Sequence, residues 1–189
     1  KDLNELYRLD LTKNLLTSLP DFGAMPAMWD LQLSDNQIET LPESFGSFVK
    51  LSNLYLGKNR ISEIPGSFEK LSKLKTLSLA GNKLKSIPVS FCFLSSLKEL
   101  YLTDNEICNP LPPMNFLGLQ SLDLRNNHMV FSDIASSLMP DDTIFTDTYE
   151  FSYHDQALVE IADSIFSFEE GDSAGIDIRS ISRLIHPGN

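Results

Sequence analysis

The sequence predicts an α/β solenoid, with a short parallel β-sheet on a concave face and a small acidic, helical C-terminal region. Three observations predict it. A unit of 23 residues stands in tandem at 51–73 and 74–96 (LSNLYLGKNRISEIPGSFEK… and LKTLSLAGNKLKSIPVSF…), and repeats at such periods are the signature of solenoids. Each unit opens on alternating x-Leu-x-Leu-x, the period of a strand with one face buried. Charge then changes abruptly: residues 1–129 carry 13 Lys+Arg against 14 Asp+Glu, and residues 130–189 carry 2 against 12.

The units begin at Leu6, Met28, Leu51, Leu74, Leu97 and Leu119, spaced by 22, 23, 23, 23 and 22 residues. Apolar residues fill unit positions 1, 4, 6, 11 and 14, asparagine position 9, proline position 15 and phenylalanine position 18. The first unit carries Leu9, Leu11, Asn14, Leu16, Leu19 and Pro20, and the second Leu31, Leu33, Asn36, Ile38, Leu41, Pro42 and Phe45. The fifth keeps Leu100, Leu102, Asn105 and Ile107, then departs where CNPLPPMNF replaces the apolar-Pro step. The sixth keeps Leu122, Leu124 and Asn127, with Met129 at position 11. Six strands at about 4.8 Å spacing make a sheet roughly 24 Å wide. The asparagine column is expected to bond backbone groups of neighbouring coils that burial leaves without water. The prolines fit the extended return side, where a missing N–H costs nothing. Phe45, Phe68 and Phe91 are expected to stack as a second spine. This organisation gives a repeat domain over 1–129 and an acidic segment over 130–189.

The pattern Leu-Pro-x-x-Phe-x-x-Leu-x-x-Leu, with its 23-residue period and without cysteine-clustered caps, resembles cytosolic leucine-rich repeat proteins. The Ras-suppressor type and the scaffold proteins of cell polarity are the groups it is most similar to. The resemblance implies a non-catalytic module that binds a protein on its concave sheet, without a cofactor.

Alternation identifies the residues of that face. Position 3 supplies Arg8, Asp30, Asn53, Thr76, Glu99 and Ser121; position 5 supplies Asp10, Gln32, Tyr55, Ser78, Tyr101 and Asp123; position 7 includes Gly57, Ala80 and Arg125. Tyr55 and Tyr101 are the large aromatics of this set, and tyrosine is favoured among hot-spot residues. Thr76, Ser78, Ala80 and Gly81 make a small-residue saddle between them, and Glu99, Tyr101, Asp104, Asp123 and Arg125 make the densest polar cluster. The partner-binding candidates are therefore Arg8, Asp30, Tyr55, Glu99, Tyr101, Asp104, Asp123 and Arg125.

Past Met129 the repeat ends. Helices are expected over 132–139, 155–167 (Leu158, Ile161 and Ile165 on one face) and 177–185, and extended chain over 144–152. Such a segment serves as the polar cover that a solenoid end requires. Residues 157–186 also resemble a degenerate EF-hand with the loop EEGDSAGIDIRS, in which Glu169, Ser173, Asp177 and the Gly175 carbonyl are the available oxygens. Gly171 at loop position 3, Ala174 at 6 and Ser180 at 12 depart from what calcium requires, so no metal site is expected. Calcium-free hands occur in cytoskeletal and axonemal proteins, which extends the resemblance to a ciliary scaffold. A calcium-responsive regulator and a permanently assembled structural subunit are the alternative functions.

Composition narrows the rest. No run of about 18 apolar residues exists, so no membrane span is expected. No signal peptide is visible, and because the chain opens on Lys1 an upstream part is left open. The net charge of −11 argues against nucleic acid or an anionic membrane as partner. Two cysteines, Cys92 and Cys108, and the absence of an Asn-x-Ser/Thr sequon favour a reducing, cytoplasmic compartment. Both cysteines are read as buried thiols. GDSAG at 171–175 matches a Gly-x-Ser-x-Gly elbow, but its acidic flanks lack the strand–turn–helix setting, and His154 and His186 sit in no motif.

Overall fold

Alternation becomes strand in every unit. In the computed structural model, which describes residues 4–23, 25–112, 119–128, 150–152, 159–161 and 164–166, the strands are three residues each. They are β1 (Arg8–Asp10), β2 (Asp30–Gln32), β3 (Asn53–Tyr55), β4 (Thr76–Ser78), β5 (Glu99–Tyr101), β6 (Ser121–Asp123) and β7 (Glu150–Ser152), paired in sequence order as one parallel sheet. The register never slips: Leu9, Leu31, Leu54, Leu77, Leu100 and Leu122 stand opposite one another, and Phe151 follows them. A slip of one residue would turn every leucine outward, so the apolar pattern fixes the pairing.

Behind the sheet the leucines meet the return segments in one core. Leu54, Leu77, Leu79 and Ile61 are fully buried, as are Phe45 and Phe68. The return segments are 3-10 helices: η1 (Glu43–Ser47), η2 (Gly66–Lys70) and η3 (Val89–Phe93). Each follows a proline with extended backbone, whose carbonyl accepts from the phenylalanine three residues on (Phe45 N to Pro42 O, 3.1 Å). The segment is too short for α-helix, and i→i+3 bonding suits a single turn. The phenylalanines stack as expected, Phe45 on Phe68 at 5.9 Å and Phe68 on Phe91 at 6.4 Å, with interplanar angles of 16° and 9°. Each ring contributes about 1.5–3 kcal/mol by burial, as an upper bound.

The asparagine column closes the turns. Asn82 Nδ2 donates to Leu79 O of its own coil at 2.8 Å and to Leu56 O of the preceding coil at 3.0 Å, and its Oδ1 accepts from Ile61 N at 3.0 Å. Asn36, Asn59, Asn105 and Asn127 repeat this pattern. One amide thus satisfies three backbone groups in two coils.

Two expectations are corrected. The helix expected over 155–167 is replaced by β8 (Val159–Ile161) and β9 (Ser164–Phe166), antiparallel, with Ile161 opposite Ser164. Val159, Ile161 and Ile165 are β-branched, and a short apolar run fits strand and helix periods alike. The same hairpin occupies the entering helix of the EF-hand frame. The remaining readings of the acidic segment, the helices over 132–139 and 177–185 and the loop with Glu169, Ser173 and Asp177, lie outside the described residues. The cysteines are the second correction: Cys108 is exposed and Cys92 half-buried. Cys108 follows the core residue Ile107, so the alternating chain turns it outward, with Sγ 3.9 Å from Lys85 O.

Candidate functional site

Because the leucines point into the core, residues at positions 3 and 5 stand on the opposite face of the sheet. Two rows cross it. One runs Arg8, Asp30, Asn53, Thr76, Glu99, Ser121, and the other Asp10, Gln32, Tyr55, Ser78, Tyr101, Asp123. Tyr55 and Tyr101 therefore flank Ser78, each one strand away, and both are half-buried.

Between the tyrosines the surface is low. Ser78 and Ala80 are small, and Gly57 lies against them: a Cβ there would meet Ala80 O at 3.3 Å, Ser78 Oγ at 3.5 Å and Ser34 Oγ at 3.7 Å. Gly81, expected in the same saddle, stands instead at the turn, with φ +67°. Thr76 is buried, and its hydroxyl donates to Glu99 Oε2 at 3.2 Å. Burial raises the Tyr55 phenol above its ordinary value, and the carboxylates of Asp30 and Glu99 and the neighbouring Tyr101 add to the rise. The middle of the face is thus negative and partly desolvated.

The other candidates flank this centre. Asp30 is buried in β2, where it accepts from Gln32 Nε2 at 2.9 Å and lies 3.9 Å from the exposed Arg8. At β6, on the other side, Arg125 grips Asp123 with two bonds, Nε to Oδ1 at 3.0 Å and Nη2 to Oδ2 at 2.6 Å, which raises the guanidinium pKa further. Asp104 is exposed at the rim, where it accepts from Asn126 Nδ2 at 2.7 Å. The fold therefore brings Tyr55, Tyr101 and Glu99 around one saddle beside Asp30, leaves Arg8 on β1 and the Arg125–Asp123 pair at β6, on opposite sides of it, and puts Asp104 on the turn.

Two features escaped the reading of the sequence. Position 8 of every unit has left-handed backbone: Lys13, Asp35, Lys58, Gly81, Asp104 and Asn126, with φ between 53° and 67°. The signal was present in four of these six, since Asp, Asn and Gly tolerate that region. Tyr7 and Trp29 stand side by side at position 2, exposed by 61% and 42%, just outside the alternating segment that defined the candidate face. Trp29 N donates to Tyr7 O at 2.9 Å. Among the described residues no group of His, Cys, Asp and Glu is arranged to hold a metal ion.

Parallel three-residue strands, an asparagine ladder and single 3-10 returns define a repeat solenoid with a polar sheet face. The leucine-rich repeat family model matches residues 4–61 and 49–107, together more than half of the chain, and the chain belongs to that family. No curated protein matches in sequence. Among solved structures, a leucine-rich repeat protein of Leptospira interrogans is 35% identical with a TM-score of 0.61, over 64% of this chain and 31% of that one. The internalin InlF of Listeria monocytogenes is 20% identical with a TM-score of 0.61, over 84% of this chain and 51% of that one, and shows the fold alone. The plant peptide hormone receptor RGFR1, solved in complex with RGF2, is 30% identical with a TM-score of 0.52, over 56% of this chain and 18% of that one. This chain thus spans 18% to 51% of the length of these proteins.

Proposed function

We propose that this chain is a non-catalytic interaction module that binds a protein partner on the polar face of its sheet, with Tyr55 and Tyr101 as the principal contacts. The observation that carries the reading is their arrangement: two half-buried tyrosines on one register row, separated by Ser78, on one hydrogen-bonded sheet. Rigid aromatic side chains over a low floor supply contact area at little entropic cost. The leucine-rich repeat family supports the reading at the level of protein binding, and one structural neighbour is a peptide hormone receptor in complex with RGF2. The repeat architecture alone does not specify a partner. A reducing, cytoplasmic location belongs to the same proposal, supported by the two free thiols.

The test is affinity purification on the full chain, followed by titration of the partner it recovers against the Tyr55→Ala/Tyr101→Ala variant. Binding weakens by about 2 kcal/mol or more, roughly thirtyfold, while the circular dichroism spectrum is retained. Unchanged affinity rejects the assignment of the sheet face.

A further inference from the structure

The saddle between Tyr55 and Tyr101 has a charge pattern that neither β2 nor β6 shares. Asp30 faces Arg8, and Asp123 is clamped by Arg125. Glu99, the carboxylate beside the saddle, is half-buried and has the Thr76 hydroxyl at 3.2 Å, but no cation lies within ion-pairing distance of it among the described residues. Asp30 and Asp123 each have a cation beside them, and Glu99 between them does not. A partner that covers the middle removes water from Glu99, and a carboxylate desolvated without a counter-ion is strongly unfavourable.

The shape of the saddle narrows the choice of counter-ion. Tyr55 and Tyr101 rise from β3 and β5, two strand spacings apart, about 9.6 Å at the backbone. A planar group in contact with a ring on each side needs about 7–8 Å between the rings, twice the optimal carbon–carbon separation. The floor is Ser78 with Ala80 and Gly57, so the strand between the two tyrosines puts only small side chains into the gap. A guanidinium is planar, stacks on aromatic faces, and carries donors in a fork that matches a carboxylate. The chain's own C-terminal segment is a poor occupant, because residues 130–189 carry 12 acidic against 2 basic residues and repel a negative centre.

We infer that the saddle receives an arginine side chain of the partner protein, its guanidinium held between the rings of Tyr55 and Tyr101 and paired with Glu99. This rests on the protein-binding reading above and names the chemistry of the segment that binds. The hydroxyl of Ser78 and the backbone-close floor at Gly57 admit the aliphatic stem, and Asp30, one row position from Asn53 on β2, strengthens the field without being free to pair.

The experiment uses the full chain with 13C-labelled tyrosine rings, titrated with three capped tripeptides: N-acetyl-Gly-Arg-Gly-amide, its citrulline analogue, and its glutamate analogue. Citrulline keeps the planar shape and removes the charge. The arginine peptide is expected to move the Tyr55 and Tyr101 ring resonances along a saturating curve, assigned by Tyr55→Phe and Tyr101→Phe. The citrulline peptide binds at least about fivefold more weakly, and the glutamate peptide does not bind. Glu99→Gln, in which the amide oxygen still accepts from Thr76, brings arginine and citrulline to within about twofold of each other. Equal binding of arginine and citrulline by the unsubstituted chain, or no movement of either ring with any peptide, overturns the inference. The latter result, obtained together with loss of the native partner in Tyr55→Ala/Tyr101→Ala, leaves the sheet face as the binding surface and removes only its arginine. Retention of the native partner by that double variant removes both.

Discussion

The first and fourth coils share the unit pattern and differ in how deeply it is buried. Leu9 and Leu77 occupy the same unit position, yet Leu77 is fully buried and Leu9 only half-buried. Asn82 bridges two coils with its amide. Among the described residues Asn14 bonds only within its own coil, Nδ2 to Leu11 O at 2.8 Å and Thr12 O at 3.2 Å, and is exposed. Among the described residues the first coil has a neighbour on one side and the fourth on both, and burial follows the number of neighbours, as expected where stability is a sum of nearest-neighbour interfaces. The unit pattern specifies the coil, and the stack specifies its stability.

The contrast can be broken where it is largest. Leu77→Ala is expected to cost about 2–5 kcal/mol, because the tightly packed site cannot collapse around the lost atoms. Leu9→Ala is expected to cost under about 1.5 kcal/mol, since less apolar surface returns to water. Urea unfolding of the two variants checks the difference, and equal shifts in midpoint would sink the neighbour-burial account. The asparagines give the next largest effect. Asn82→Ala strands Ile61 N in the core, leaves Leu56 O to the Asn59 amide and Leu79 O to the Asn105 amide, and is expected to cost about 1–3 kcal/mol. Asn14→Ala leaves groups that water reaches and costs under about 0.5 kcal/mol.

A smaller effect sharpens the comparison between successive turns. Lys58 and Gly81 hold the same left-handed backbone, at φ 53° and 67°. Gly81→Ala is expected to lower stability by about 1 kcal/mol through conformation, since its added Cβ meets Lys58 only at ordinary contact distances from 3.4 Å. Lys58→Gly relieves a similar strain and is expected to raise stability by a few tenths of a kcal/mol, offset by chain entropy. Thermal unfolding of the pair checks the opposite signs.

The smallest effect concerns protons. The Thr12 backbone N–H, 3.0 Å from Asp10 Oδ1, holds that exposed carboxyl below its ordinary 3.8. A lowered folded value means stability complete above 3.8 and lost as pH falls through the folded value. Wild type and Asp10→Asn are therefore expected to differ slightly at neutral pH and to converge in acid. A pH series of urea midpoints checks this, and a gap that widens in acid contradicts it.

Most of the repeat domain was legible because its rules are local and periodic. The positions of Leu54, Leu77 and Leu100 in the core follow from counting alternate residues, and the asparagine ladder follows from asking where buried carbonyls find donors. The phenylalanine spine is legible for the same reason, since Phe45, Phe68 and Phe91 recur at one unit position. What was hidden depends on neighbours or on short-range competition. The outward turn of Cys108 is set by its place after Ile107 in a unit whose return segment departs from the pattern. The hairpin of β8 and β9 was hidden because Val159, Ile161 and Ile165 fit two periods. At the candidate site, alternation placed Tyr55, Tyr101 and Glu99 on one face, but it could not show that Arg125 is spent on Asp123 or that Asp104 faces the turn. Those depend on side-chain conformations that no spacing encodes. Tyr7 and Trp29 were missed because they precede the alternating segment by one residue.

The central claim is that the partner covers the polar face of the sheet. Hydroxyl-radical footprinting of the chain, alone and saturated with its recovered partner, tests it most directly, because tyrosine and phenylalanine oxidise readily and stand on both sides of the molecule. Tyr55 and Tyr101 are expected to be protected severalfold in the complex, while Phe93, 56% exposed on the return side, keeps its rate. Protection of Phe93 with unchanged oxidation of both tyrosines would place the partner on the other face and contradict the account.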